Sequence, residues 1–149
     1  MSREKDLNAK TIFMKQKTKP YWEKKLDEVF SQYIRLKFSD SNGVCRCISC
    51  GKPFFWTEIQ NGHYMSRVYR STRFDENNCR PQCMPCNVFL HGNIQKYRKA
   101  LVEELGDEIV DMVETKAWSV TAKYTAYDYE SMYHQYKAEV EKLKKEKGL

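Results

Sequence analysis

Two cysteine pairs share one spacing: Cys47-Ile48-Ser49-Cys50-Gly51 and Cys83-Met84-Pro85-Cys86-Asn87. Two residues between thiolates let both sulfurs turn toward one ion, and two such pairs supply the closed tetrahedral sulfur shell that zinc prefers. Gly51 and Pro85 suit the tight turns this requires. With every position filled by sulfur there is no place for a water, so Cys47, Cys50, Cys83 and Cys86 predict a structural zinc and argue against a zinc hydrolase. Cys45 and Cys79 are left over. Cys45 competes with Cys47, but only Cys47 keeps the two-residue gap to Cys50, and Cys79 reads as a buried thiol. No histidine is tied to either by a motif, so a cysteine nucleophile has little support.

Between the pairs lie Asn61-Gly62-His63-Tyr64-Met65-Ser66-Arg67 and Arg73-Phe74-Asp75-Glu76-Asn77-Asn78, and Asn87 directly follows the second pair. Hydrolysing a phosphodiester needs an activated water, a hold on the leaving oxygen and neutralisation of developing charge. A neutral histidine suits the first task, because its unperturbed pKa of about 6.5 leaves it free to take a proton at cellular pH. One divalent ion can serve the other two. His63 is therefore assigned as general base and Asn87 as a direct ligand of a catalytic Mg²⁺, for which Mn²⁺ could substitute. His91 lies four residues after Asn87, on the same face if a helix opens there, and either completes the ion's shell or is a surface histidine. Asn78 is expected to bridge backbone groups and fix the loop that carries His63. Asn93 is a further polar contact or a turn residue.

A histidine after a strand-like run, an asparagine five residues before the second cysteine pair and another just after it form an ordered set similar to the signature of His-Asn-His nucleases. A longer match resembles the NinG/Rap family of lambdoid phage recombination nucleases. It is carried by Pro20-Tyr21-Trp22, Cys47-Ile48-Ser49-Cys50-Gly51, Gly62-His63-Tyr64, Arg73-Phe74-Asp75-Glu76-Asn77-Asn78, Gln82-Cys83, Cys86-Asn87, Gly92-Asn93 and Tyr97-Arg98. The resemblance implies a structure-specific endonuclease acting on branched DNA such as Holliday junctions and D-loops. It also implies a ββα-metal core, in which one zinc holds the hairpin while a second metal does chemistry. One departure stands out. Many His-Asn-His enzymes carry a metal-binding carboxylate directly before the base, whereas this chain has Gly62, as the resembled family does. Asp75, Glu76, waters or phosphate oxygens would have to fill the vacancy.

Arg67, Arg70, Arg73 and Arg80 surround the proposed site in sequence and suit phosphate contacts, although Arg73 and Asp75 could pair with each other. The net charge of +6 agrees with a polyanionic partner without requiring one. His134 receives no role.

The elements that must position these groups follow from the apolar pattern. Residues 1–19 read as a basic arm, and 20–149 as one nuclease domain. Within it, 20–38 form a helix (Trp22, Leu26, Val29, Phe30, Tyr33, Ile34), 44–93 the zinc-bound core, and 94–149 a helical part broken at Gly106. Tyr129, Tyr133, Tyr136, Val140 and Leu143 follow alternating steps of four and three in the last helix, an apolar seam that either docks on the N-terminal helix, the preferred reading, or supports a homodimer. The fold class is α+β, a small core flanked by helices from both ends. No apolar run is long enough to span a membrane, and the N-terminal residues lack a secretion signal, so a reducing cytoplasm, the host's if the gene is phage-encoded, is expected. Two rival functions remain: a zinc-containing DNA-binding recombination protein without catalysis, for which Gly62 is the motive, and an RNA-directed nuclease or toxin.

Overall fold

The computed structural model describes residues 16–149; the basic arm lies outside the described residues as far as residue 15. Helix α1 (Lys19–Lys37) opens with Thr18, whose hydroxyl accepts the Tyr21 N–H at 3.3 Å, and with Pro20 in the first turn, where a missing N–H is harmless. Arg35 and Lys37 lie in its last turn, favourable to the helix dipole. Its buried stripe, Leu26, Val29, Phe30 and Ile34, meets the long C-terminal helix, α5 (Ala126–Lys147). Thr125 and Asp128 close a reciprocal cap at the start of α5. Phe30 packs edge-on against Tyr136 at 4.9 Å, and Tyr129 and Val140 are fully enclosed. The seam of α5 is therefore occupied by the chain's own α1, which removes the surface on which dimerisation was considered.

Between these helices the chain forms two antiparallel hairpins. Strands β1 (Val44–Arg46) and β2 (Pro53–Phe55) flank the first cysteine pair. Strands β3 (Gln60–His63) and β4 (Cys79–Gln82) pair with Gln60 opposite Gln82, Gly62 opposite Arg80 and His63 opposite Cys79. A single-turn helix, α2 (Arg70–Arg73), and a 3₁₀ turn (Glu76–Asn78) fill the connection between β3 and β4. The second cysteine pair follows β4 directly and leads into a π-helical turn (Pro85–Phe89). Helices α3 (Ile94–Leu105) and α4 (Asp107–Ser119) are separated by Gly106 at φ +86°, where the break was expected. Tyr97, Leu101, Val110 and Val113 join Tyr64 in a second apolar cluster that supports the end of β3. The class is thus α+β, with helices around two small two-stranded sheets. Among the described residues no helix is long and apolar enough to cross a membrane.

Candidate metal centre and imidazole cavity

The ligand atoms of Cys47, Cys50, Cys83 and Cys86 all lie within 4.8 Å of one another. The Cys50 and Cys83 sulfurs are 3.7 Å apart, close to the roughly 3.8 Å edge of a tetrahedron with Zn–S bonds of about 2.3 Å. The loop that sets the first pair closes by Gly51 N–H to Cys47 O at 2.8 Å and Cys47 N–H to Lys52 O at 3.0 Å. Gly51 takes φ +74° there, a conformation costly for other residues. N–H donors also aim at sulfur: the Cys50 amide at Cys47 Sγ and Asn93 Nδ2 at Cys86 Sγ, both at 3.5 Å. Burial pushes the Cys83 and Cys86 thiols up. At Cys47 burial also pushes up, but amide donors from Cys50, Cys83 and Ser49 outweigh it and bring the thiol down to about 7. Four convergent sulfurs with amide support fit a metal ion such as zinc. All six cysteines are free; Cys45 is buried outside the cluster and Cys79 is fully buried. Asn93 is both a left-handed turn residue, at φ +43°, and a donor to the cluster.

His63 ends β3 in the wall of an open cavity of about 640 Å³, which also receives Asn61, Asn87, His91, Arg67 and Asp27. Its Nε2 lies 2.9 Å from the Arg73 carbonyl. A carbonyl can only accept, so Nε2 carries the proton and Nδ1 keeps a lone pair, with no protein partner among the described residues. Desolvation lowers the imidazole pKa to about 4 against the opposing effect of the Arg73 carbonyl, with the nearby Arg67 charge lowering it further. The ring is neutral at physiological pH. Asn87 donates Nδ2 to Gln60 Oε1 at 2.9 Å, which turns its carbonyl oxygen away from Gln60. His91 reaches the same cavity by a route other than the expected helix face. The helical turn ends at Phe89, and His91 takes a left-handed φ of +50° beyond it.

Asn78 is fully buried, and its amide ties two segments together: Oδ1 accepts the Met65 N–H at 2.7 Å, while Nδ2 donates to Met65 O at 2.9 Å and Thr72 O at 3.0 Å. It faces backbone and does not line the cavity. The four arginines do not act as a group. Arg67 lines the cavity. Arg73 instead binds Asp27 and Glu23 of α1, and not Asp75. Arg80 is 4% exposed, paired with Glu104 and bonded to the Glu76 and Cys79 carbonyls, so its expected phosphate role is corrected to that of an internal strut. Arg70 is exposed but holds Glu23. Neither carboxylate proposed to replace the one absent at Gly62 reaches the cavity: Asp75 pairs with Lys116, and Glu76 with Lys37 and Tyr33.

The structure gives a reason for Gly62. A Cβ there would fall 2.3 Å from Gln82 Oε1 and 2.6 Å from Gln82 Cβ. Gln82 is itself fixed, donating to Ser49 Oγ at 2.9 Å and Gly92 O at 2.6 Å, and thereby bracing the two cysteine loops against each other. A family model described as "Bacteriophage Lambda NinG protein" matches residues 2–146, which include the four cysteines and every residue of the His63 cavity. The chain belongs to the NinG family. It is 34% identical over 100 residues to the protein ninG of Escherichia phage 933W and to that of Salmonella phage P22, and 33% identical to that of Escherichia phage lambda. Each match covers 66% of this chain and 47% of the relative, so the aligned part is about half the length of those relatives. No solved structure matches the chain.

Several residues of this NinG chain reach the site without having been picked out in the sequence. Glu23, Asp27, Ser31 and Arg35 recur every fourth residue along the polar side of α1, and the last three line the His63 cavity. That four-residue spacing was a readable signal of a common face. Gln60 offered none, since its partner comes from another element, and Gln82 counted only toward the family resemblance, with no role.

Proposed function

We propose that this protein is a metal-dependent DNA endonuclease of the His-Asn-His type, acting on branched recombination intermediates such as Holliday junctions and D-loops. The observation that carries the reading is the state of His63: a neutral imidazole, its Nε2–H bound to the Arg73 carbonyl and its Nδ1 without a protein partner among the described residues, lining a cavity shared with Asn87 and His91. In this reading His63 takes a proton from the attacking water at Nδ1, and the Arg73 carbonyl supports the imidazolium that forms. Asn87, through its carbonyl oxygen, and His91 would hold a divalent ion, Mg²⁺ or Mn²⁺. When bound, that ion neutralises charge on the phosphate and the leaving oxygen. This donor set is neutral, which fits an ion that keeps several waters and shares phosphate oxygens. Asn78 acts by positioning the segment after His63, and Arg67 contacts phosphate. A zinc in the four-cysteine cluster is structural, holding the hairpin that carries His63 beside the turn that carries Asn87. The branched-DNA substrate draws on the family resemblance alone; the net charge of +6 agrees only with a polyanionic partner.

A binding-only reading draws on one observation, Gln82 standing where a metal-binding carboxylate beside the base would need room. The two separate in one assay. Four-way junctions, linear duplex and structured RNA are incubated with Mg²⁺ or with chelator, beside His63→Ala. Junction cleavage that needs metal and vanishes in the variant while junction binding survives is the expected result. Binding without metal-dependent cutting by the unaltered protein overturns the nuclease reading in favour of its rival, and preferential cutting of RNA overturns the substrate.

A further inference from the structure

We propose that Arg35 of α1 contacts a backbone phosphate of the strand held in the His63 cavity; the proposal rests on reading that cavity as a phosphodiester site. Arg70, Arg73, Arg80 and Arg98 each hold a carboxylate. Arg35 lines the same cavity as His63 and, among the described residues, holds none. Its Nε donates to Ser31 O at 3.1 Å and Ser31 Oγ at 3.2 Å, its Nη1 donates to Trp56 O at 2.8 Å, and its guanidinium lies 5.5 Å from the Trp56 ring centre. These partners are all neutral. They fix the planar fork and leave its charge uncompensated, with Nη2 bound to no protein atom among the described residues.

A partly desolvated cation without a counter-ion is unfavourable, and an anion in the adjoining space offsets the cost. Burial acts in that sense, drawing the Arg35 pKa below its ordinary value. The remaining charges of the cavity agree. Asp27 is the one carboxylate among its lining residues and is already matched by Arg73, so Arg35 and Arg67 leave an excess of positive charge. A phosphodiester, with two non-bridging oxygens for a guanidinium edge, is the anion that fits.

The test uses the full chain, with melting temperature and zinc content as folding controls for Arg35→Gln and Arg35→Lys. Junction binding is measured in chelator across a salt series. Arg35→Gln should bind about tenfold more weakly and lower the slope of log affinity against log salt by about one, with Arg35→Lys partly restoring both. A folded Arg35→Gln with unchanged affinity and slope overturns the proposal. Independently of any variant, inorganic phosphate added to the unaltered protein should shift the Arg35 Nε–H resonance in NMR spectra; an unmoved resonance at saturating phosphate also overturns it. Loss of binding in Arg35→Gln when the unaltered protein cuts nothing upholds the phosphate contact while the nuclease reading fails. Junction cutting with an Arg35-independent salt slope does the reverse.

Discussion

Replacing His63 with glutamine should make the folded protein less sensitive to acid. The folded imidazole titrates at about 4 and the unfolded one at its ordinary 6.5. As pH falls below 6.5 the unfolded chain takes up a proton that the folded chain refuses, so stability is full above 6.5, drains between 6.5 and 4, and levels off once both states are protonated. Integrated from about pH 7 to about pH 4.5, the shift amounts to roughly 2–3 kcal/mol, at about 1.4 kcal/mol per unit. Because the ring is partly open to the cavity, the lower end is the better expectation. Urea unfolding of both proteins at the two pH values measures it, since protonation of the cysteine cluster is common to both and cancels in the difference. The unaltered protein should lose on the order of 2 kcal/mol more than His63→Gln over this interval. Parallel losses, or a His63 ring proton titrating near 6.5 in NMR spectra of the folded protein, would refute the desolvated neutral imidazole on which the base assignment stands.

Gly62→Ala should destabilise the fold by about 1–3 kcal/mol through overpacking against Gln82. Most of that penalty should vanish in a Gln82→Gly background, which removes the Gln82 Cβ as well as its amide, and additive losses in a double-mutant cycle would discard the clash. Zinc content per chain should be one in the unaltered protein and near zero in Cys83→Ser, with chelator lowering the melting temperature of the first and not the second; an unchanged melt in chelator would count against a structural ion. Arg80→Ala should cost roughly 2 kcal/mol in urea unfolding, having left buried carbonyls without their donor, yet leave the salt slope of DNA binding unchanged. A lowered slope at intact stability would return Arg80 to the phosphate contacts.

What the sequence revealed and what it concealed divide along physical lines. The bounds of α1 and the buried seam of α5 were legible because each carries a regular apolar stripe, and the gap between α3 and α4 because Gly106 sits at the end of one stripe and the start of the next. The four-cysteine cluster was legible because metal-ligand spacing is a local property. The turn after Asn87 was not. The Gly92 N–H reaches back to Cys86 O and the Leu90 N–H to Pro85 O, so the chain curls around the cysteines in place of propagating a helix. His91 consequently enters the cavity from a left-handed residue. The arginines were misjudged for another reason. Their partners, Glu23, Asp27 and Glu104, lie 24 to 47 positions away in sequence, and such pairings are set by packing alone.

Helix α1 is gripped from two sides: α5 holds its apolar stripe, while Arg73, whose carbonyl orients His63, holds its acidic face through Asp27. The last helix and the imidazole are thus coupled through a rigid rod. Substitutions along the tyrosine-lined seam, at Tyr133 or Tyr136, would tilt that rod and rotate the ring it steadies. Natural variation far from the cavity therefore has a mechanical route to the setting of His63 without altering a single group that lines the cavity.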